Sequence, residues 1–131
     1  MSQENVELAR RSIDAINRRD LSAYLALMDD EIEAVSRLSA IEGNHRGHEG
    51  IRRWWEALFD TWPDFTVRVL DLRAISGVTL GTVHLTGRGA GSDVPVEWTV
   101  WAIGRWKGSK CVWWGNFRTR AEALEAVGLS E

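Results

Sequence analysis

The sequence predicts an α+β domain: a cone-shaped roll in which a strongly bent, mixed or antiparallel sheet wraps over three N-terminal helices, with a short C-terminal helix. Three observations lead there. Apolar residues recur at helical spacing through the first half, in Val6, Ala9, Ile13 and Ile16 and again in Ile51, Trp54, Trp55, Leu58, Phe59 and Trp62. From Phe65 onward, β-branched and aromatic runs alternate with short Gly/Ser turns, the pattern of successive antiparallel strands. Helices and strands segregated in this way belong to α+β folds. The chain has 131 residues and neither a repeat nor a linker-like stretch, so one domain over residues 1–131 is expected.

Ser2 can cap the first helix, with Glu4 near its positive end and Arg10, Arg11, Asp14, Arg18 and Arg19 on its wet side. Asp20 is placed to cap a second, shorter helix carrying Leu21, Tyr24, Leu25 and Met28, with the Tyr24 hydroxyl at the surface and Asp29-Asp30 ending the helix. Glu31–Arg37 reads as a short strand. Leu38–Gly47 holds no long element, and Glu42-Gly43-Asn44 is a turn or loop. A third helix starts at Gly47 or the next residue and stops before Pro63. Strands follow over Phe65–Leu72 and, after a Ser76-Gly77 turn, Val78–Gly89. Gly91-Ser92-Asp93 leads into a hairpin of Val96–Trp106 and Cys111–Phe117 around Lys107-Gly108-Ser109-Lys110. Thr119-Arg120-Ala121-Glu122 has the form of a capping box, and Gly128 is placed to end the last helix.

The hairpin region Pro95–Thr119 holds five of the eight tryptophans. Strand alternation puts Trp98, Val100 and Ala102 on one face of its first strand and Trp101 and Ile103 on the other. On the second strand Trp114, Asn116 and Arg118 oppose Trp113, Gly115 and Phe117. Both faces are rich in large apolar groups. One is expected to cover a core or cavity and the other to meet a second subunit.

Composition narrows the function classes. A 44% apolar and 27% charged content is that of an ordinary soluble globular chain. A net charge of -3 gives no basic surface for a phosphate backbone, so no nucleic-acid partner is expected. No apolar run approaches the ~20 residues of a membrane span, and the polar start lacks a signal peptide's apolar segment. A cytoplasmic protein without a membrane partner is the simplest reading. The single cysteine excludes an internal disulfide or a multi-cysteine zinc site. His45 and His48, beside Glu49, lack a third placed ligand, so no metal is expected. Gly87-Arg88-Gly89-Ala90-Gly91 lies between two strands with no helix after it, which argues against a dinucleotide loop. No cofactor is implied.

Several short stretches carry a family resemblance. They are Asn5-Val6-Glu7, Asn17-Arg18-Arg19-Asp20-Leu21, Met28-Asp29-Asp30-Glu31-Ile32-Glu33, Arg46-Gly47-His48-Glu49-Gly50-Ile51, Trp62-Pro63-Asp64-Phe65 and the tail Arg120–Leu129. In this order and spacing the chain resembles the SnoaL-like polyketide cyclases, within the superfamily of ketosteroid isomerase and nuclear transport factor 2. The resemblance implies a cone-shaped pocket for a small hydrophobic molecule and a homodimer packed through the outer sheet faces. It does not imply one activity, since this fold hosts isomerases, cyclases, hydrolases, dehydratases and non-enzymes. The isomerases use a carboxylate base and an oxyanion site of Tyr plus a neutral Asp. Those positions match Val35, Ser12 and Ala102, none of which can do that chemistry.

The candidate proton-transfer residues are Glu33 and His84. Glu33 and Arg37 share strand parity with Val35, while Asn116 and Arg118 share the Trp114 face; together these could orient a substrate or stabilise developing negative charge. The bland alternative is that Glu33 and Arg37 pair with one another or sit at the rim, and that His84 is a sheet residue with one satisfied nitrogen. The expected ligand pocket comprises Arg37, Trp54, Trp55, Trp98, Ala102, Trp114, Asn116 and Arg118, and Trp101, Trp113 and Phe117 would face the partner subunit. Two readings stay open: cyclase- or isomerase-type acid/base chemistry on a small hydrophobic carbonyl or aromatic metabolite, and a non-catalytic module that binds an apolar ligand or pairs with a partner.

Overall fold

A computed structural model describes residues 2–37 and 42–130. Its elements are α1 (Ser2–Asn17), α2 (Leu21–Ala26), β1 (Met28–Ser36), β2 (Gly43–Arg46), α3 (Gly47–Thr61), β3 (Thr66–Ile75), β4 (Val78–Arg88), β5 (Pro95–Lys107), β6 (Lys110–Phe117) and α4 (Arg120–Ala126). The strands form one six-stranded mixed sheet in the order β2-β1-β6-β5-β4-β3. Among the described strands only β1 and β6 run parallel; the other neighbours are antiparallel. The sheet is not closed. It is an α+β roll with α1, α2 and α3 packed on its concave face.

Two elements differ from expectation. β1 begins at Met28, so Met28, Asp29 and Asp30 are strand residues and not the end of a helix. α2 stops at Ala26, and the N–H of Cys111 on β6 takes the Leu27 carbonyl at 2.8 Å, drawing the chain into the sheet. β2 is a four-residue edge strand where no strand was foreseen. Gly43, Asn44, His45 and Arg46 have little intrinsic strand preference, so pairing with Ser36, Val35, Ala34 and Glu33 supplies it. Of the expected connection over 38–47, residues 38–41 lie outside the described ones.

The joint between α1 and α2 is a clamp. The Asn17 side chain bonds both backbone groups of Val67, each at 2.8 Å. Arg19 adopts φ 60°, donates to the Pro63 carbonyl at 3.0 Å and sits 4.3 Å from the Phe59 ring centre. Asp20 caps α2 by accepting from the Ala23 N–H at 3.0 Å. These residues hold the helices against the α3–β3 turn, a structural role for a stretch that otherwise looks merely charged.

Among the described residues there are two apolar clusters. The larger lies between the helices and the concave face, around Ile32, Ile51, Trp54, Leu58 and Val100. The smaller lies on the convex face, where Ala123 and Leu124 of α4 cover Val78, Leu80, Ile103 and Phe117. α4 opens with the foreseen box: the Thr119 hydroxyl accepts from the Glu122 N–H at 3.1 Å and donates to its carboxylate at 3.0 Å. Gly128, at φ 78°, ends the turn. Phe117, expected to face a partner, is instead buried within the chain by α4. Trp101 and Trp113 pack against the same cluster and remain half-buried.

Candidate functional site

The concave face and the helices line a half-open cavity of about 120 Å³. Its existence follows from side-chain size. Gly81 on β4 pairs with Ala102 on β5, and Gly104 lies two residues further along the same face. The neighbouring pair, Val83 and Val100, fills its space, whereas the small residues do not. Ala102 remains partly accessible on an inward face because it borders this space. Ile13 and Ile16 of α1, Tyr24 of α2, and Trp54 and Leu58 of α3 form the opposite wall. Trp54 meets Trp114 edge to face at 4.9 Å and stacks on Tyr24 at 5.9 Å. The indole N–H groups of Trp54 and Trp114 are buried without a partner among the described residues, a cost of about 1–3 kcal/mol each.

The expected site residues separate into three groups. Trp54, Ala102, Trp114 and Asn116 line the cavity together. Trp55 and Trp98 lie behind that wall: Trp55 packs on Tyr24 at 5.3 Å and Phe59 at 5.1 Å, and Trp98 meets Trp62 at 5.0 Å. Glu33, Arg37, His84 and Arg118 lie outside the lining. Ala34 and Ser36 stand beside Trp114 and Asn116, so the concave face of β1 carries Ile32, Ala34 and Ser36. Glu33 and Val35 therefore point outward, and the Glu33 side chain is 57% exposed, 4.0 Å from Arg46. Arg37 and Arg118 are exposed. His84 alternates with Val83 and Leu85, which face the cavity, and its Nε2 lies 2.8 Å from Glu97 Oε1 on the convex side.

The cavity also takes residues that sequence reasoning did not assign to it: Ser12, Tyr24, Met28, Thr79, Trp106 and Cys111. Tyr24 is buried, not at the surface. The inward run of small residues at Gly81, Ala102 and Gly104 was the signal for the cavity, but it needs the β4–β5 register to be seen. The polar lining is mostly engaged. Ser12 donates to the Ala9 carbonyl at 2.7 Å, Trp106 Nε1 to Thr79 Oγ1 at 3.0 Å, and the Cys111 thiol to the Trp113 carbonyl at 3.3 Å. No Asp, Glu, His, Lys or Arg is among the described lining residues. Among the described residues no group of three His, Cys, Asp or Glu could hold a metal ion, and no helix is long and apolar enough to cross a membrane. His48 Nε2 lies 2.9 Å from the Met28 carbonyl.

The two ionisable groups of the lining stay neutral. Burial, then the neighbouring Cys111, raises the Tyr24 phenol well above its ordinary value. Burial pushes the Cys111 thiol up to about 12, opposed in smaller part by a backbone hydrogen bond at Trp113. In the unfolded chain this thiol ionises near pH 8.5–9 while the folded chain keeps the proton. The unfolded state then binds fewer protons, so stability present below that range is lost as pH rises toward 12. Unfolding free energy is expected to fall by about 1.4 kcal/mol between pH 8 and 10. Urea melts at the two pH values check this: Cys111→Ala should remove most of the fall, and a flat wild-type profile would contradict the assignment.

Comparison with known proteins agrees with this architecture. Residues 9–114 match the model of the SnoaL-like domain. An uncharacterised cystatin-fold protein from Novosphingobium aromaticivorans is 26% identical, with a TM-score of 0.75 over 87% of this chain and 97% of its own. A protein described as a SnoaL-like polyketide cyclase, from Jannaschia sp. CCS1, is 16% identical, with a TM-score of 0.78 over 88% and 85%. An NTF2-like protein of unknown function from Burkholderia pseudomallei K96243 is 13% identical, with a TM-score of 0.80 over 95% and 98%. No curated protein is a significant match to the sequence. With the family match spanning most of its length, the chain belongs to the SnoaL-like family, and its sheet and helices take that family's fold.

Proposed function

We propose that the cavity binds a small, uncharged ring compound, and that binding rather than acid/base catalysis is its task. The observation that carries this reading is the lining itself: aromatic and aliphatic walls, with the two titratable groups held neutral. A general acid or base must reach the reacting atom within hydrogen-bond distance, and Glu33 and His84 lie outside the lining. Size sets the ligand class. An apolar cavity of about 150 Å³ accommodates benzene, so about 120 Å³ suits a single ring, with any substituent directed toward the open side. Membership of a family that includes a protein described as a polyketide cyclase supports a small-molecule ligand.

Tryptophan fluorescence tests the reading, because Trp54, Trp106 and Trp114 all line the cavity. Titration with toluene, styrene and anisole should give a saturable change with a Kd on the order of 0.1–1 mM, ordinary for so few heavy atoms. A purely linear response to all three ligands would contradict it.

A further inference from the structure

We propose that the cavity selects neutral ring ligands that carry a carbonyl oxygen, and that Asn116 is the residue that reads that oxygen. This rests on the ligand-binding reading above and adds a polarity to it. Asn116 sits on the concave face of β6, opposite Ala102 and beside Ser36, and lines the cavity while 9% exposed. Its Oδ1 accepts the Arg37 backbone N–H at 2.8 Å. A backbone N–H can only donate, so this bond fixes the orientation of the carboxamide. The oxygen is committed to the end of β1, and the amide is left with its NH₂ group to offer.

The other lining groups sharpen the preference. The Ser12, Trp106 and Cys111 donors are spent on protein acceptors. The indole N–H groups of Trp54 and Trp114, buried without a partner among the described residues, add two more donors along the wall. The cavity therefore has donors to give and asks for an acceptor. A carboxylate would also accept, but no cation lines the described cavity, and a buried charge without a counter-charge is strongly disfavoured. A ketone, aldehyde or ester oxygen gains the hydrogen bond without that penalty. The specificity is thus for the neutral carbonyl and against the acid of the same skeleton.

Calorimetric titration of the whole protein at neutral pH tests this with three probes: acetophenone, α-methylstyrene, which has CH₂ in place of the oxygen, and benzoate. Acetophenone should bind about tenfold tighter than α-methylstyrene, the worth of one hydrogen bond. Benzoate should bind at least about a hundredfold weaker than acetophenone. In Asn116→Asp an oxygen remains for the Arg37 N–H but the donor is gone; acetophenone should lose its advantage while α-methylstyrene changes less than about threefold. If that variant does not fold, the wild-type comparison still decides the preference for a carbonyl, and an advantage for acetophenone that survives in a folded Asn116→Asp overturns the role of Asn116. Acetophenone no tighter than α-methylstyrene, or benzoate tighter than acetophenone, overturns the inference. Toluene binding without acetophenone binding overturns it alone. Failure of every ring compound, toluene included, removes the binding reading and this inference with it.

Discussion

Ala102→Phe is expected to abolish ring binding, raising Kd by more than about thirtyfold, in a protein that stays folded. Ala102 faces inward, opposite Gly81 on one side and Asn116 on the other, and its methyl group borders the empty space. A phenyl group there occupies the volume that a one-ring ligand needs. Filling an apolar void is worth up to about 3 kcal/mol at ~24 cal/mol per Å³, reduced by whatever repacking the new ring demands. Tm should therefore hold or rise by a few degrees. Thermal melts with a toluene titration check both halves: loss of binding with a steep fall in Tm signals misfolding, and retained binding contradicts the assignment of the space.

Gly115→Ala is expected to destabilise the protein by about 1–3 kcal/mol. Gly115 stands on the convex face between Trp113 and Phe117. A Cβ there would lie 2.6 Å from Phe117 Cε2 and 2.9 Å from Trp113 Cη2, inside any normal contact. Trp113 is half-buried and has room to give. The Phe117 ring is 6% exposed and locked among Ile103, Ala123 and Leu124, so its displacement loosens the packing of α4. Tm should drop by roughly 5–10 °C for a chain of this size. An unchanged Tm would show that the ring is free to swing, and that α4 is held by its capping box more than by packing.

Much of this fold was legible because its elements repeat their apolar residues at clear periods. The stripe Ile51, Trp54, Trp55, Leu58 gives α3, and the aromatic residues marking both faces of β5 and β6 give the hairpin. Asp20, Thr119 and Gly128 do the capping their residue types suggest. β2 was not legible, because its polar residues become a strand only through pairing with β1. The direction of β1 was not legible either. Its inward residues, Ile32, Ala34 and Ser36, are too small and mixed to mark a face, so Glu33 looked as able to face inward as they do. The position of His84 depended on the same unknown parity. The cavity itself is made of absent side chains at Gly81, Ala102 and Gly104, and a run of small residues becomes a site only once strand register aligns them.

The most direct test of a ring-binding cavity is the location of a heavy-atom ligand. A crystal of the protein soaked in bromobenzene, measured at the bromine edge, should show one anomalous peak inside the roll. The peak should lie against Ala102 and Gly81, with the ring between Trp54 and Trp114. Bromine found only on the convex face, with the interior closed by side chains, would contradict the account.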